Sequence, residues 1–261
     1  MGIRLDNDWH LQPIDGDTGQ AFMGIRAQEK VFIKRNTSPF LAALSREGIT
    51  PKLVWTKRAG NGDVLTAQEW MDGRVLTPSE VGRYQEVITI LRHLHHSSSL
   101  KNMLERVGGK KVSAFDLLLR YAGDLPQALR DNTYLTKVFR YLEDNLPSYD
   151  EKDYVAVHGD TNHRNWLLSD EKKLYLVDWD SAMLSDPAVD IGSILGRYVP
   201  VDKWSPWLSA YGIVPKKDVM ERILWYGTMH QLEQIKVQYR KRNFQKMNEE
   251  ILVLKNTYNY L

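Results

Sequence analysis

The first seventy residues alternate short apolar runs with clusters of turn-forming residues, a pattern typical of a small antiparallel sheet. Residues 39–47 instead show helical spacing and are followed by Gly48, a common helix stop. The pair Asn61-Gly62 lies between two extended runs and is a strong hairpin signal. We therefore expect one helix and five strands, the strands at residues 9–14, 21–26, 30–34, 52–56 and 64–70.

Beyond Trp70 the apolar positions recur mainly at helical spacing. Thr77 can cap a helix that has Pro78 at its first position and Glu80 three residues after the cap, and the apolar face continues to His95 as one helix. Further helices are predicted at residues 113–121 and 134–146, from 187 with Asp186 as N-cap, and over most of 218–258, with short strands at 154–157, 166–168 and 174–177. The pattern predicts an α+β protein with two lobes, a small antiparallel sheet with one helix and a larger, mainly helical part.

Composition narrows the possible chemistry. The chain of 261 residues contains no cysteine, which excludes disulfides, thiolate nucleophiles and cysteine-ligated metal sites. No apolar stretch approaches the length that crosses a bilayer, and the first twelve residues lack the apolar core of a signal peptide, so we expect a cytoplasmic protein without a membrane partner. The net charge is +2, and the basic run at residues 240–246 is best interpreted as a solvated helix face, so no nucleic-acid partner is expected.

Three polar residues in two neighbouring loops carry the clearest chemical signal. Asp160 and Asn165 are five positions apart after a predicted strand, and Asp178 follows 13 residues later at the end of another strand. Each residue alone would most often cap a turn. Phosphoryl transfer, however, needs a carboxylate beside the acceptor hydroxyl and hard oxygen ligands for Mg²⁺ at this spacing. The pattern predicts Asp160 as the catalytic base, with Asn165 and Asp178 as metal ligands.

The sequence His-Gly-Asp-x-x-x-x-Asn at 158–165, followed by the Asp-Trp-Asp motif at 178–180, resembles the aminoglycoside phosphotransferase and choline kinase family. The resemblance covers nearly the whole chain. It implies a protein-kinase-like fold, with ATP and Mg²⁺ as cofactors. It also implies a nucleotide-binding lobe at residues 1–72 with a hinge near 68–72, and a helical lobe at 73–261 that contains both motifs.

The resemblance further implies a set of nucleotide-binding residues. Residues 15–20 would form the loop over the phosphates, and Lys34, at the end of an apolar run, would bind the α- and β-phosphates. The acid that pairs with this lysine is left open between Glu47 and Glu69. The implied cofactor-binding residues are Lys34, Gly16, Thr18, Gly19, Gln68, Glu69, Met71 and Glu47.

Two differences from the protein-kinase sequence pattern limit the class of phosphate acceptor. Gly159 stands where many protein kinases have an arginine, and only 12 residues separate Asp178 from Asp190, which leaves no room for an activation segment. A small hydroxylated acceptor is therefore expected. An aminoglycoside needs an acid-lined cleft, whereas the second half of this chain mixes basic residues with its acids. A choline-type acceptor needs an aromatic cage, and the aromatic residues that could form one, stack on a sugar or fill the core are Trp204, Trp207, Tyr211, Trp225 and Tyr226.

Within the family, the runs at residues 34–44 and 67–70 resemble the cell-cycle regulator kinases of Gram-positive bacteria. This resemblance implies ribose or 2-deoxyribose as acceptor and cell-division or replication proteins as partners. An alternative from another class is a nucleotide-binding scaffold that regulates division through protein partners. His93, His95 and His96 lack further ligands at metal spacing, so a buried or half-buried structural role is expected for them.

Overall fold

The computed structural model describes residues 9–14, 21–60 and 62–258. The chain divides into two compact units, and Asn165–Asp180 belong with the part of the chain that ends at Val75. We call this part the sheet unit. The helical unit consists of Leu76–Arg164 together with the chain from Ser181 onward.

Within the described residues, five antiparallel strands form the main sheet of the sheet unit, as the alternating pattern predicted. Their order is β1-β2-β3-β5-β4, and one face buries Val31, Ile33, Leu65 and Ala67. The strands are β1 (His10–Pro13), β2 (Ala21–Arg26), β3 (Glu29–Arg35), β4 (Leu53–Arg58) and β5 (Val64–Glu69). The first helix, α1 (Phe40–Arg46), stops before Gly48, which adopts a left-handed backbone with φ of +73°. Asn61, half of the predicted hairpin signal, lies outside the described residues.

A smaller sheet explains why Asn165–Asp180 belong to the sheet unit. The strand β6 (Gly73–Val75) pairs with β8 (Trp166–Ser169), which pairs with β9 (Leu174–Leu176), all antiparallel. β8 and β9 match the two predicted strands closely. The pattern did not predict β6, because all three of its residues are exposed and show no alternation.

The helical unit contains most of the helices. Its strands β7 (Val155–Val157) and β10 (Met183–Ser185) pair antiparallel and frame the loop that follows β7. No helix of the described ranges has both the length and the apolar character that a bilayer crossing requires. The helices are α2 (Pro78–Val81), α3 (Gln85–His96), α4 (Ser98–Arg106), α5 (Ala114–Gly123), α6 (Gln127–Arg130), α7 (Thr133–Asp144), α8 (Ala188–Tyr198), α9 (Trp204–Tyr211), α10 (Lys217–Arg240) and α11 (Phe244–Tyr258).

The prediction of one helix from Thr77 to His95 is wrong. The capping box of Thr77 and Glu80 is present, but it starts a single turn, α2, that ends at Gly82. Gly82 lies so close to the carbonyl of Tyr198 that no side chain fits there. Tyr84 then takes an extended backbone before α3 begins. Tertiary packing against α8 thus interrupts a pattern that is locally helical.

Two glycines allow α8 and α10 to pack closely. A Cβ atom on Gly192 would lie 2.6 Å from the carbonyl oxygen of Ile223, and one on Gly227 would lie 2.7 Å from that of Gly192. Backbones this close fix the position of α8 against α10. The crossing therefore fixes the position of Asp190, which lies on α8 and contributes to the site below.

Candidate active site

The loop after β7 depends on a glycine at position 159. Gly159 has φ of +79°, and a Cβ atom there would lie 2.5 Å from the carbonyl oxygen of Ser181. Both the left-handed backbone and the close approach exclude an ordinary side chain. An arginine at this position is therefore excluded for steric reasons, in addition to the lack of an activation segment with which it could interact.

Asp190 holds the same loop through its buried carboxylate. The backbone N–H groups of His158 and Gly159 donate to it at 2.8 and 2.9 Å, and His95 Nε2 lies 3.0 Å from it. Burial acts to raise the pKa of Asp190, but the hydrogen bond and charge of His95 and the bond from His158 outweigh it, and the pKa is lowered. An ionised Asp190 requires the proton of His95 on Nε2. The hydroxyl of Tyr211 is hydrogen-bonded to His95 Nδ1 at 2.7 Å, which completes a buried polar chain.

Asp160 is oriented by its own loop. Asn162 Nδ2 lies 2.9 Å from each carboxylate oxygen of Asp160. The backbone N–H of Asp160 donates to His158 Nδ1 at 3.2 Å, and that of Arg164 donates to Asn162 Oδ1 at 2.9 Å. The Asp160 side chain is half-buried, and its carboxylate is held in one orientation.

In the sheet unit, Asn165 directly precedes β8 and Asp178 follows β9, so both residues lie at the open end of the β8–β9 hairpin. The carbonyl of Asn165 accepts from the N–H of Val177 at 2.9 Å, which fixes the residue before Asp178. Asp178 has φ of +64°, a left-handed backbone conformation that few non-glycine residues adopt. The Trp179 ring packs edge-on against Phe40 with the ring centres 5.8 Å apart. The hairpin and α1 thus fix the orientation of Asp178.

Lys34, at the end of β3, contacts two carboxylates of this hairpin. Its Nζ lies 2.7 Å from Asp178 Oδ1 and 2.8 Å from Asp180 Oδ2. Burial acts to lower the pKa of Lys34, but the hydrogen bonds and charges of the two aspartates outweigh it and raise the pKa. The lysine is therefore a fixed positive charge between two acids. The sequence left Glu47 and Glu69 open as the acid that pairs with Lys34. Glu47 is the C-cap of α1, and Oε1 of Glu69 lies 3.7 Å from Nζ of Lys52.

The predicted hinge residues divide into two groups. Gln68 and Glu69 lie within β5, and the buried Gln68 side chain donates to Thr50 Oγ1 and to the Pro51 carbonyl. Met71 lies between β5 and β6. Gln68 thus supports the hinge from inside. Three of the predicted phosphate-loop residues, Gly16, Thr18 and Gly19, lie outside the described residues.

The aromatic residues that could have formed a cage in the second half of the chain fill the core instead. Trp204, Trp207, Tyr211, Trp225 and Tyr226 are between 2% and 5% exposed. Trp204 Nε1 donates to the Val199 carbonyl, and Trp225 Nε1 to that of Leu142. The structural role expected for the histidines of α3 is confirmed for His95. The expectation of burial is wrong for His93 and His96, which lie on the exposed side of the helix.

The sequence of the chain matches the model of a known protein family. The model of the phosphotransferase enzyme family (APH) matches residues 34–226, a range that includes Lys34, Asp160, Asn165 and Asp178. The chain belongs to this family.

Solved structures support the fold of this phosphotransferase. Choline kinase LicA from Streptococcus pneumoniae aligns with a TM-score of 0.68 at 15% identity, covering 95% of this chain and 94% of that one. The GDP complex of aminoglycoside 2'-phosphotransferase-IIIa aligns with a TM-score of 0.64 at 13% identity, covering 98% and 95%. The AMP-bound spectinomycin phosphotransferase APH(9)-Ia aligns with a TM-score of 0.61 at 16% identity, covering 95% and 89%. The predicted kinase-like α+β fold is confirmed.

Three residues of the candidate site were not singled out in the sequence. Asn162 orients Asp160, Asp180 shares Lys34 with Asp178, and Asp190 holds the loop. Asp180 had a local signal, since it is the second acid of the Asp-Trp-Asp motif. Asp190 had none, because its partner His95 is 95 residues away in the chain.

Proposed function

We propose that this phosphotransferase transfers the terminal phosphoryl group of ATP to a hydroxyl of a small sugar such as ribose or 2-deoxyribose, in the cytosol. Asp160 is the catalytic base, and Asn165 and Asp178 hold Mg²⁺. The observation that carries the proposal is the Asp160 carboxylate, which Asn162 and the loop fix in one orientation. A base must already point at the acceptor proton to be effective, and such orientation is what a general base requires.

The residues of the sheet unit fit a divalent cation. Asp178 and Asp180 both place a carboxylate oxygen within 2.8 Å of one positive charge, the Lys34 ammonium. Carboxylate and amide oxygens are the ligands that Mg²⁺ prefers, so Asp178 and Asn165 are suitable ligands. Bound Mg²⁺ would neutralise charge on the nucleotide phosphates. Lys34 would then be available to the α- and β-phosphates.

Nucleotide binding is supported by the bound ligands of similar proteins. Complexes with AMP, ADP and GDP are known for LicA, APH(9)-Ia and aminoglycoside 2'-phosphotransferase-IIIa. In this chain we expect Glu69 and Met71 at the adenine, with Gln68 as support, and Gly16, Thr18 and Gly19 over the phosphates. Glu47 remains a proposed member of this site through its place at the end of α1.

The mixed charges of the second half of the chain favour a sugar over an aminoglycoside. An aminoglycoside is a polycation that needs an acid-lined cleft, whereas this half of the chain mixes basic residues such as Arg164, Arg197 and Lys246 with its acids. The buried aromatic residues described above are likewise not available to enclose a choline group.

The test is ADP release in the presence of ATP and Mg²⁺, measured with ribose, 2-deoxyribose, choline and kanamycin as separate acceptors. We expect the sugars to stimulate ADP release well above the rate with ATP alone. Lys34→Met should abolish the reaction, whereas Lys52→Met, on a lysine whose side chain is 74% exposed, should not. Stimulation by choline or kanamycin alone would refute the sugar assignment.

A second role in cell division or replication, through protein partners, is favoured by an exposed apolar pair on α5. Phe115 and Leu119 are each 54% exposed and lie four residues apart on one helix face. The two roles separate in a complementation experiment. If Asp160→Ala protein restores normal growth and localisation, partner binding matters more than chemistry; if it does not, phosphoryl transfer is required.

A further inference from the structure

A cavity of about 440 Å³ lies between α3 and α9 of the helical unit. Its volume is within the range of small-molecule binding sites. The lining residues on α3 are Gln85, Ile88, Thr89, Arg92, His93 and His96. On the α9 side the lining residue is Ala210. The lining includes no described residue of the loop after β7, so the cavity is a second concave feature of the helical unit.

The polar part of the lining follows from the sequence of α3. Gln85, Thr89, Arg92 and His96 are separated by four, three and four positions, which is the spacing of residues on one helix face. Ile88, which is 5% exposed, lies beneath them. The pattern therefore presents several hydrogen-bonding side chains to one concave surface.

The lining of this cavity is basic. Arg92 carries a permanent positive charge, and His93 and His96 add two imidazole rings. Among the described residues that line the cavity, none is acidic. A bound anion would therefore face cationic and neutral polar groups, whereas a bound cation would find no acid to pair with.

The guanidinium group of Arg92 lies against the end of α9. Its Cζ, Nε and Nη2 atoms are each 3.7 Å from the position that a Cβ atom on Gly212 would take. Gly212 is the C-cap of α9 and has no side chain to cover the guanidinium. Among the described residues, this guanidinium forms neither an ion pair nor a hydrogen bond. Arg240, another exposed arginine of the unit, pairs with Asp124.

The ring of His96 is oriented by the same two helices. Its Nδ1 lies 2.8 Å from the backbone carbonyl oxygen of Arg92, and because a carbonyl only accepts, Nδ1 carries the proton. The ring centre lies 6.0 Å from that of Tyr211 on α9. This arrangement leaves Nε2 as the ring nitrogen that can bond to a ligand.

We propose that this cavity is a second ligand site, which binds a small molecule through a phosphate group held by Arg92 and His96. The planar guanidinium offers paired N–H donors that match two phosphate oxygens. Ile88 and Ala210 provide apolar contacts for the rest of the molecule. This inference goes beyond the proposed function and does not depend on the identity of the phosphate acceptor.

The test is isothermal titration calorimetry of the full chain with glucose 6-phosphate, inorganic phosphate and citrate as separate probes. Arg92→Gln removes the charge and the paired donors, whereas Arg92→Lys keeps the charge alone. Arg140→Gln, on an exposed arginine of α7 outside the cavity lining, is the matched control. The urea midpoint of unfolding and the affinity for ATP are measured for every variant, to detect loss of folding or an effect on the candidate active site.

We expect glucose 6-phosphate to bind more tightly than inorganic phosphate, and equally to the wild type and Arg140→Gln. Arg92→Gln should weaken its binding by about 10- to 100-fold, the effect of losing hydrogen bonds from a charged group, with Arg92→Lys in between. The affinity for ATP should not change.

Three results would overturn the inference. The first is equal binding of glucose 6-phosphate by the wild type and Arg92→Gln, and the second is no binding of it to the wild type. Tighter binding of citrate or of inorganic phosphate than of glucose 6-phosphate would overturn the assignment to a phosphorylated small molecule. None of these results would affect the proposed phosphoryl transfer, which is measured by ADP release.

Discussion

At the scale of single residues, Gly159 links the backbone of the loop to the position of the proposed base. Its φ of +79° is matched by Gly108 at the end of α4, where nothing lies within 4 Å of the place a Cβ would take. The two glycines thus share a backbone conformation and differ only in steric surroundings. This difference allows strain and steric conflict to be separated.

Gly159→Ala should destabilise the protein more than Gly108→Ala. The control should lose about 1 kcal/mol, the cost of a left-handed alanine. Gly159→Ala adds the conflict with the Ser181 carbonyl and should also lower kcat, because Asp160 is the next residue. Urea unfolding and ADP release measure the two effects. Equal losses of stability would show that the close approach has no energetic importance.

At the scale of elements, α8 supports the loop through Asp190, and the crossing of α8 with α10 fixes α8. Because the Asp190 carboxylate accepts two backbone N–H groups and contacts His95, removing it leaves several buried groups without a partner. Tyr211, at the other end of the polar chain, provides one hydrogen bond to His95. We therefore expect the Asp190 side chain to contribute more to the stability of the loop than the Tyr211 side chain.

Asp190→Ala should lower the free energy of unfolding by about 3 kcal/mol or more and reduce kcat strongly. Tyr211→Phe should cost about 1 kcal/mol and leave kcat within a few-fold of the wild type. Both variants are compared by urea unfolding and ADP release. If Asp190→Ala turned over as fast as Tyr211→Phe, the support of the loop by α8 would be excluded.

The elements also show what a sequence can predict. The strands β2, β3, β5 and β8 follow from alternation and turn residues, and their predicted bounds agree with the structure within two residues. The break at Gly82 and the strand β6 could not be predicted, because each depends on a partner about one hundred residues away, Tyr198 and β8. Likewise, motif spacing led to the prediction of Asp160 and Asp178 as site residues, while the distant contacts of Asp190 left no local pattern.

At the scale of the whole molecule, His230 should make stability depend on pH. Its pKa is lowered in the folded protein, so below its ordinary value near 6.5 the unfolded chain binds more protons. The contribution of His230 to stability is therefore complete above that pH and is lost as the pH falls. Burial is the largest cause of the lowered pKa of His230; the charge of Arg197 adds to it, and the charges of Asp160, Glu250 and Asp190 oppose it.

Between pH 7.5 and 5.5, the free energy of unfolding should therefore fall more for the wild type than for His230→Gln. The difference in slope corresponds to the uptake of at most about one additional proton on unfolding. Urea unfolding at the two pH values provides the measurement. His93→Gln, which changes an exposed histidine, should behave as the wild type. The same pH dependence in His230→Gln and wild type would contradict this origin.

The proposed function requires that Asp160 activates a sugar hydroxyl for phosphoryl transfer. Its most direct test is the rate of ADP release from ATP and Mg²⁺ with 2-deoxyribose, compared between the wild type and Asp160→Asn, with ATP binding measured separately. We predict that the sugar-stimulated rate falls by about 10²- to 10⁴-fold while ATP affinity is unchanged, because the nucleotide is assigned to the sheet unit. Sugar-stimulated ADP release by Asp160→Asn at the wild-type rate would exclude Asp160 as the catalytic base.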